Sequence, residues 1–301
     1  MQYLKHFFSN LEEMMIFNRL NRLLFNLSHK KEIFYITEDS DLQHVVLDLR
    51  KERIICVDTE FEWRRTYFPI ISLIQIATKK KIYIVDCLKC KNFSELENIF
   101  SDDKKLFIFH ASRSDTTVIS KSLNICIKNV FDIQIAQNIL TNDKFKSYQS
   151  LVNKYFKVNL AKSETHSNWL NRPLTKKQLE YASEDVNYLI EIFEKQSRIL
   201  KKKNIYIDAI KDSEKEAYLG NQDLIISRLK KLKDPTETER KIFIWREKVS
   251  IKKNIPPSHA IKDKRIKFLS ELVDQKRDLK GQKKFFNDEK IFLDFLDNFK
   301  Q

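Results

Sequence analysis

Short apolar runs and helical patterns follow one another in a fixed order along the chain. Runs rich in Ile, Val, Phe and Tyr predict strands at residues 33–37, 53–61, 71–78, 81–86 and 106–110. The polar pair Lys79 and Lys80 separates two of these runs, so we expect a hairpin there. From about Ser94 onward, apolar positions recur at helical spacing, and the last such pattern predicts one long helix from residue 175 to about 203. This order predicts an α/β fold, with a mixed sheet that is antiparallel at first and flanked later by helices.

The same pattern predicts four parts of the chain. Residues 1–30 carry apolar positions at helical spacing and predict an N-terminal helical extension, and residues 31–205 hold the sheet and its helices. Residues 206–234 are polar and predict a linker with some helix. Residues 235–301 predict a small all-α domain with an excess of basic side chains.

Two helix starts have clear sequence signals. Thr175 is followed three residues later by Gln178, which predicts a capping box directly after Pro173. Asp132 stands before an apolar helical pattern, and we favour an N-cap role for it over a catalytic one.

The composition of the chain then limits the classes of partner and cofactor that it can bind. The formal net charge is +14 and the pI is about 9.4, which favours a nucleic acid as partner and an acidic membrane surface second. Only two glycines are present, Gly220 and Gly281, so glycine-rich phosphate loops, dinucleotide fingerprints and nucleophile elbows are excluded. No apolar run approaches the roughly 18 residues of a membrane span. We therefore expect a soluble protein that does not act at a membrane.

Cysteine content favours a reduced compartment. The chain has four cysteines, and we interpret the Cys87 and Cys90 pair as packing thiols at a strand end rather than as zinc ligands. Residues 14–31 lack acidic side chains and contain Arg19 and Arg22, a pattern found in transit peptides. A packed helical extension is the interpretation we favour, with a cytoplasmic location.

Candidate chemistry begins with two carboxylates inside a strand. Asp58 and Glu60 interrupt an apolar run, and the two-residue period of a strand puts them on one face with Thr59 opposite. Like charges on a buried strand repel, so a divalent cation with oxygen ligands would stabilise them. The alternative is a strand end that frays into solvent.

Two further segments carry acidic residues. Asp115 follows the strand at residues 106–110 and lies in the first turn of a predicted helix, where it also suits the helix dipole. Tyr181 and Asp185 are four residues apart on a predicted helix, so they share one face. The alternative is an ordinary pair of side chains on a helix surface.

Taken together, these residues resemble the DEDDy family of 3′–5′ exonucleases, and ribonuclease D in particular. Asp58-Thr59-Glu60-Phe61 is similar to the first family motif, Asp115 after His110-Ala111 to the second, and Tyr181 with Asp185 to the third. The stretch Trp169-Leu170 with Arg172-Pro173-Leu174 is also similar, although this chain has Asn168 where the family often has aspartate. The resemblance runs from about residue 33 to about residue 196.

The resemblance implies a fold, a metal site and substrate contacts. The fold would be ribonuclease H-like, and Asp58, Glu60, Asp115 and Asp185 would hold two divalent ions, Mg²⁺ or Mn²⁺. Tyr181 would orient the attacking water. Substrate contacts are expected from Thr59, Phe61, Gln75, His110 and Trp169, with Tyr67 as a further ring beside the terminal bases.

The C-terminal part resembles an HRDC domain, a helical nucleic-acid-binding module. The similar stretches are Trp245-Arg246 and Asn254-Ile255-Pro256-Pro257. Candidate phosphate contacts there are Lys252, Lys253, Lys262, Lys264, Arg265 and Lys267, although these residues equally suit a solubilising surface.

The sequence therefore predicts a metal-dependent 3′–5′ exoribonuclease. It would release nucleoside 5′-monophosphates from single-stranded RNA 3′ ends, including those of tRNA precursors or other structured RNA. Two alternatives stay open: a DNA 3′–5′ exonuclease with the same metal site, and an RNA-binding scaffold without catalysis. The physiological RNA, the metal and the oligomeric state are not determined by the sequence.

Overall fold

The computed structural model describes residues 31–142, 145–161 and 164–299. The helical extension predicted for residues 1–30 lies outside this part of the chain. The six strands that it contains are β1 (Glu32–Ile36), β2 (Ile54–Glu62), β3 (Ile70–Ala77), β4 (Lys81–Asp86), β5 (Leu106–Phe109) and β6 (Val130–Asp132).

These strands form one mixed sheet in the order β1-β4-β3-β2-β5-β6. Strand β3 is antiparallel to β2 and to β4, whereas the pairs β1-β4, β2-β5 and β5-β6 are parallel. The predicted mixed sheet and the hairpin at Lys79 and Lys80 are therefore confirmed. Strand β6 was not predicted, because three residues are too few to show a strand period.

Helices surround the sheet and then continue into the C-terminal part. In chain order they are α1 (Asp39–Arg50), α2 (Ser94–Phe100), α3 (Arg113–Leu123), α4 (Ile133–Thr141), α5 (Tyr148–Phe156), α6 (Lys176–Asn187), α7 (Leu189–Lys202), α8 (Tyr206–Asn221), α9 (Leu224–Leu229), α10 (Glu237–Lys253), α11 (Pro257–Ala260), α12 (Asp263–Asp274) and α13 (Glu289–Phe299), with a 3₁₀ turn at Lys280–Phe285.

The two faces of the sheet pack against different helices. Val57 of β2 belongs to a core shared with helices α1 to α3, represented by Val45 and Val118. Its neighbour Cys56 points to the other face, into a core shared with helices α4 to α7. The two-residue period of β2 thus decides which layer each of its side chains meets.

The single long helix predicted from residue 175 to about 203 is wrong. The structure has two helices, α6 and α7, which meet at Tyr188, where φ is −106° and ψ is 2°. The Tyr188 backbone N–H donates to the hydroxyl of Tyr148 at 3.1 Å and to the carbonyl of Val186, only two residues before it. A contact with a side chain 40 residues away in the sequence causes this break, so local spacing gave no sign of it.

The C-terminal helices form a third core, in which Ile242, Trp245, Leu269 and Phe295 are buried. The predicted all-α character of this part is confirmed. Within the described residues, no helix has the length and apolar character needed to cross a bilayer.

Helix α8 lies in the predicted linker and packs against the sheet. Ser213 accepts a hydrogen bond at 2.9 Å from the Asp132 backbone N–H, and Arg113 of α3 forms an ion pair with Glu216. The boundaries of the four predicted parts stay predictions.

Asp132 joins two helix starts, and its predicted N-cap role is confirmed. Its carboxylate accepts from the backbone N–H groups of Gln134 and Ile135 at the start of α4. It also accepts from Ala111 and Ser112, at 3.1 and 2.7 Å, just before α3. One buried side chain therefore fixes both the start of α4 and the turn that leads into α3.

We expect Asp132→Ala to lower the free energy of unfolding by about 2–4 kcal/mol, because it removes a cap and leaves buried N–H groups without an acceptor. Asp132→Asn keeps one acceptor oxygen and should cost less. Urea unfolding of the three proteins measures this order. A loss below about 0.5 kcal/mol for Asp132→Ala, the range of an ordinary surface change, would contradict the joining role.

Candidate active site

Asp58 and Glu60 lie on strand β2, opposite Gln75 and Leu73 of β3. Asp58 shares its face with Cys56, the face that packs against helices α4 to α7. The pairing register shifts between Glu60 and Phe61. Such an irregularity ends the regular ladder and re-aims side chains, which is common beside active sites.

Asp115 comes to the same place from helix α3, on the other side of the sheet. It is the third residue of that helix and is 5% exposed. Thr59 points to the α3 side, as its place between Asp58 and Glu60 requires, and donates a hydrogen bond to Asp115 Oδ1 at 2.6 Å. Strand β2 thus contributes two carboxylates directly and holds a third.

The turn before α3 has an unusual backbone. Ala111 has φ of 60°, a left-handed conformation that is unfavourable for a residue with a Cβ. The hydrogen bonds from Ala111 and Ser112 to Asp132 stabilise it. This turn directs the chain from β5 into α3 and so places Asp115.

Asp185 and Tyr181 are supplied by helix α6. The predicted capping box is present, with Thr175 accepting from the Gln178 backbone and Gln178 accepting from the Thr175 backbone. The Tyr181 hydroxyl lies 3.3 Å from Thr165 Oγ1 and also hydrogen-bonds Asp185. The capped start thus fixes the helix that carries both residues.

The four carboxyl groups interact with one another electrostatically. Burial, followed by repulsion from Asp58, Asp185 and Asp115, raises the pKa of Glu60 to about 10. Burial also raises the pKa of Asp185 to about 7, although its hydrogen bond with Tyr181 acts in the opposite direction. Burial, followed by repulsion from Asp185, raises the pKa of Asp58 well above its usual value. Burial and repulsion from Asp58 do the same for Asp115. Within the described ranges, no Lys or Arg forms an ion pair with any of the four.

Two fully buried acids elsewhere, Asp86 and Glu247, are neutralised by arginine. Burial alone would raise the pKa of Asp86, but hydrogen bonds from Arg172 and Tyr35 outweigh it, and the pKa is lowered. Glu247 is fully buried and accepts from Arg228 and Arg246 at 2.8 and 2.9 Å. The uncompensated charge at Asp58, Glu60, Asp115 and Asp185 is therefore a property of this site, not of buried acids throughout the chain.

The donor set fits a hard divalent cation, since carboxylate oxygens are the ligands that such ions prefer. In the part of the chain that the structure describes, no three His, Cys, Asp or Glu side chains are arranged as a finished metal shell. The carboxylates interact electrostatically with one another, and these are the side chains that would hold a bound cation.

The predicted substrate contacts differ in accessibility. Gln75 is fully buried, Trp169 is 4% exposed and Tyr67 is 1% exposed, so little of their surface is open in this structure, and contact of these three side chains with a terminal base stays a prediction. Thr59 is buried as well, and its hydroxyl is bonded to Asp115. Trp169 packs into the core on the α4 to α7 side, Tyr67 donates to Glu247, and Thr59 holds Asp115.

Phe61 and His110 are half-buried and can reach a ligand. Phe61 packs against the core on the α1 to α3 side of the sheet. His110 Nε2 lies 2.9 Å from the carbonyl oxygen of Lys146, and its ring packs on Tyr148. The prediction that these two contact the substrate stays a prediction.

Arg172 has a positioning role that the sequence analysis missed. Its guanidinium bonds both carboxylate oxygens of Asp86, at 2.6 and 2.8 Å, and donates to the Trp169 carbonyl at 2.7 Å. Ser72 Oγ donates to the same carbonyl at 2.5 Å. These contacts attach the residues before α6 to the sheet. An aspartate at the end of an apolar strand was the available signal, but its partner is 86 residues away.

Comparisons with known proteins agree with this geometry. A sequence profile described as a 3′–5′ exonuclease matches residues 33–201, more than half of the chain. Ribonuclease D of Desulfotalea psychrophila is 33% identical over 243 residues, which are 76% of this chain and 64% of the relative. Ribonuclease D of Bartonella henselae is 31% identical over 247 residues, 79% of this chain and 61% of the relative. The chain thus spans less than two thirds of the length of these curated relatives.

Solved structures share the fold. The crystal structure of Escherichia coli RNase D has a TM-score of 0.75 at 21% identity and covers 90% of this chain and 76% of that one. The catalytic core of RRP6 from Trypanosoma brucei has a TM-score of 0.63 at 23% identity, covering 81% of this chain and 71% of that one. At these identities the similarity shows a common fold.

We expect the stability of the metal-free protein to fall as the pH rises. Asp185 has a pKa raised from 3.8 to about 7, so in this window the folded chain binds a proton that the unfolded chain has released, and the stabilisation is lost as the pH passes 7. Asp185→Asn removes this pH-dependent contribution. In chelator, the free energy of unfolding of the variant should exceed that of the wild type by at least about 1 kcal/mol at pH 8 and by less at pH 5. Denaturant unfolding at the two pH values measures the difference, and a difference that shrinks as the pH rises would contradict a raised pKa of Asp185.

Proposed function

Because the chain belongs to the 3′–5′ exonuclease family, we propose that it is a 3′–5′ exoribonuclease of the ribonuclease D type. It removes nucleotides from RNA 3′ ends and releases nucleoside 5′-monophosphates. One observation carries the proposal. Four carboxylates from β2, α3 and α6 gather beside Tyr181; Asp115 is buried and the other three are half-buried. Among the described residues they share no cationic side chain, while Asp86 and Glu247 are each paired with arginine.

The exonuclease family depends on divalent metal ions. We assign Asp58, Glu60, Asp115 and Asp185 as the ligands of two Mg²⁺ or Mn²⁺ ions. When bound, such a pair stabilises negative charge on the attacking and leaving oxygens of phosphodiester hydrolysis. Bound cations would also remove the mutual repulsion that raises the carboxyl pKa values.

Tyr181 is assigned to orient the attacking water. Burial, followed by repulsion from Asp185, raises the pKa of its hydroxyl above the ordinary value, so the hydroxyl stays protonated at neutral pH. A protonated phenol can donate and accept hydrogen bonds but cannot serve as a general base. Its bond to Asp185 and its proximity to Thr165 fix the direction of the hydroxyl.

Thr59 and Arg172 act as positioning residues in this proposal. Thr59 holds Asp115 by a 2.6 Å hydrogen bond from the opposite face of β2. Arg172 holds the residues before α6, which carry Thr165 towards Tyr181. Phe61 and His110 are the half-buried side chains that we assign to contact the terminal nucleotide.

RNA is the substrate that the relatives and the charge favour. Among the structures similar to this chain, Escherichia coli RNase D is described as an exoribonuclease involved in structured RNA processing. Another is described as Trypanosoma brucei RNase D in complex with RNA U12. A net charge of +14 suits a polyanion. We propose single-stranded RNA 3′ ends as substrates, including those of tRNA precursors in the cytoplasm, with the C-terminal helices as an HRDC-like binding module.

A time course on RNA labelled at its 5′ end tests the proposal. In Mg²⁺ or Mn²⁺ we expect a ladder that shortens one nucleotide at a time, and chelator should abolish it. Asp58→Asn should lower the rate by at least about a hundredfold, because a carboxylate at the reacting centre is lost. The control Asp103→Asn makes the same change at an exposed loop position and should leave the rate unchanged.

A matched DNA oligonucleotide in the same assay separates the two nuclease activities. Faster shortening of DNA would favour a DNA exonuclease. RNA retained in a binding assay without shortening of either polymer would contradict catalysis and favour the scaffold alternative.

A further inference from the structure

A cavity of about 260 Å³ lies beside the carboxylates, between the end of β2 and the residues before α6. Its polar lining consists of Glu62, Arg64, Arg65, Thr66, His166 and Asn168. Glu62 is two residues beyond Glu60 on the strand, about 7 Å along it at the usual rise. On the other wall, His166 follows Thr165, which lies 3.3 Å from the Tyr181 hydroxyl. The cavity is therefore adjacent to the proposed reacting centre.

The charges in the cavity do not cancel. Glu62 binds the Arg64 side chain at 2.6 Å, and this hydrogen bond lowers the pKa of Glu62 to about 2, so these two residues form a neutral pair. Arg65 is exposed, and its charge also lowers the pKa of Glu62, but none of the hydrogen bonds or ion pairs in the described ranges holds its guanidinium. The cavity thus offers one arginine that is available to an anion.

The wall that carries Arg65 is held in place by the C-terminal helices. Tyr67 is 1% exposed, and its hydroxyl donates to Glu247 of α10 at 2.9 Å. Its backbone N–H donates to Asn254 Oδ1 at 3.1 Å, and Arg228 lies over its ring at 4.7 Å. Trp63 Nε1 donates across the loop to the Tyr67 carbonyl at 2.9 Å. The loop between β2 and β3 is therefore fixed at both sides of Arg65.

We propose that this cavity binds the RNA phosphate directly 5′ of the scissile phosphate, with Arg65 as its contact. The inference rests on the proposed exonuclease function. The 3′-terminal nucleotide of an RNA with a free 3′-hydroxyl brings a single phosphate, the scissile one, which the carboxylate site takes. A second anion site next to it meets the next phosphate towards the 5′ end, and arginine suits it because its planar group bonds phosphate oxygens bidentately.

The helical C-terminal part then has a further role. Through Glu247, Arg228 and Asn254 it fixes the loop of this subsite, so it contributes to substrate binding at the active site itself.

Neutralising one phosphate of the substrate tests this site. The probes are two eight-nucleotide RNAs, one with normal linkages and one with a neutral methylphosphonate between the second and third nucleotides from the 3′ end. Both carry a 2′-deoxy sugar at the third nucleotide, because a 2′-hydroxyl would attack the methylphosphonate. The measured quantity is kcat/KM for removal of the first nucleotide by wild type, Arg65→Gln and the control Arg53→Gln. Arg53 is exposed just before the other end of β2.

We expect Arg65→Gln to lower kcat/KM roughly tenfold on the normal RNA, mainly through KM, since a charge-assisted contact is lost. On the methylphosphonate RNA, the wild type should already be roughly tenfold slower and Arg65→Gln should cause no further loss. Arg53→Gln should match the wild type on both. An equal effect of Arg65→Gln on both RNAs, or no effect on either, would overturn the subsite.

Failure of the proposed function gives a different result. If the wild type removes no nucleotide from either RNA, the exonuclease proposal fails, and the subsite is judged by fluorescence anisotropy of the same two RNAs. The Arg65 site predicts that Arg65→Gln weakens binding of the normal RNA alone and reduces the slope of log Kd against log salt by about 0.7. Equal weakening for both RNAs, or none, would contradict it.

Discussion

Repulsion among four buried or half-buried carboxylates is the constraint around which the sheet domain is organised. Strand β2 brings Asp58 and Glu60, helix α3 brings Asp115 and helix α6 brings Asp185. Burial is the largest cause of each raised pKa, and repulsion from nearby carboxylates adds to it. In the metal-free chain this arrangement is unfavourable, since among the described residues no cationic side chain compensates the desolvated like charges. Divalent cations supply that compensation, so the feature that destabilises the metal-free chain is the one that suits catalysis.

Several contacts elsewhere act to hold the carboxylates together. Asp132 stabilises the turn into α3, and Thr59 holds Asp115 by a hydrogen bond from strand β2. The ion pair of Arg172 with Asp86 attaches the residues before α6 to the sheet. Where the chain buries an acid for structural reasons, it supplies arginine or backbone N–H partners. Among the residues described, no lysine or arginine pairs with any of the four carboxylates, and this distinguishes a binding site from a structural ion pair.

Local pattern predicted much of the fold and part of the site. The period of β2 gave the shared face of Asp58 and Glu60, and the Thr175 signal gave the start of α6. Local pattern did not predict features that depend on residues distant in the sequence. These are the helix break at Tyr188, the burial of Gln75 and the hydrogen bond of Tyr67 to α10. The alternation and spacing of apolar residues show which side chains share a face of a strand or helix. They do not show which side chains of another strand or helix that face will contact.

Counting bound metal ions shows whether the four carboxylates form one shared metal site. Mn²⁺ is titrated into the full chain with a nucleoside 5′-monophosphate present, and the free ion is followed by electron paramagnetic resonance. We expect two saturable Mn²⁺ ions for the wild type and at most one for Asp58→Asn. No saturable binding, or the same number of ions for both proteins, would contradict the assignment of the four carboxylates as a shared metal site.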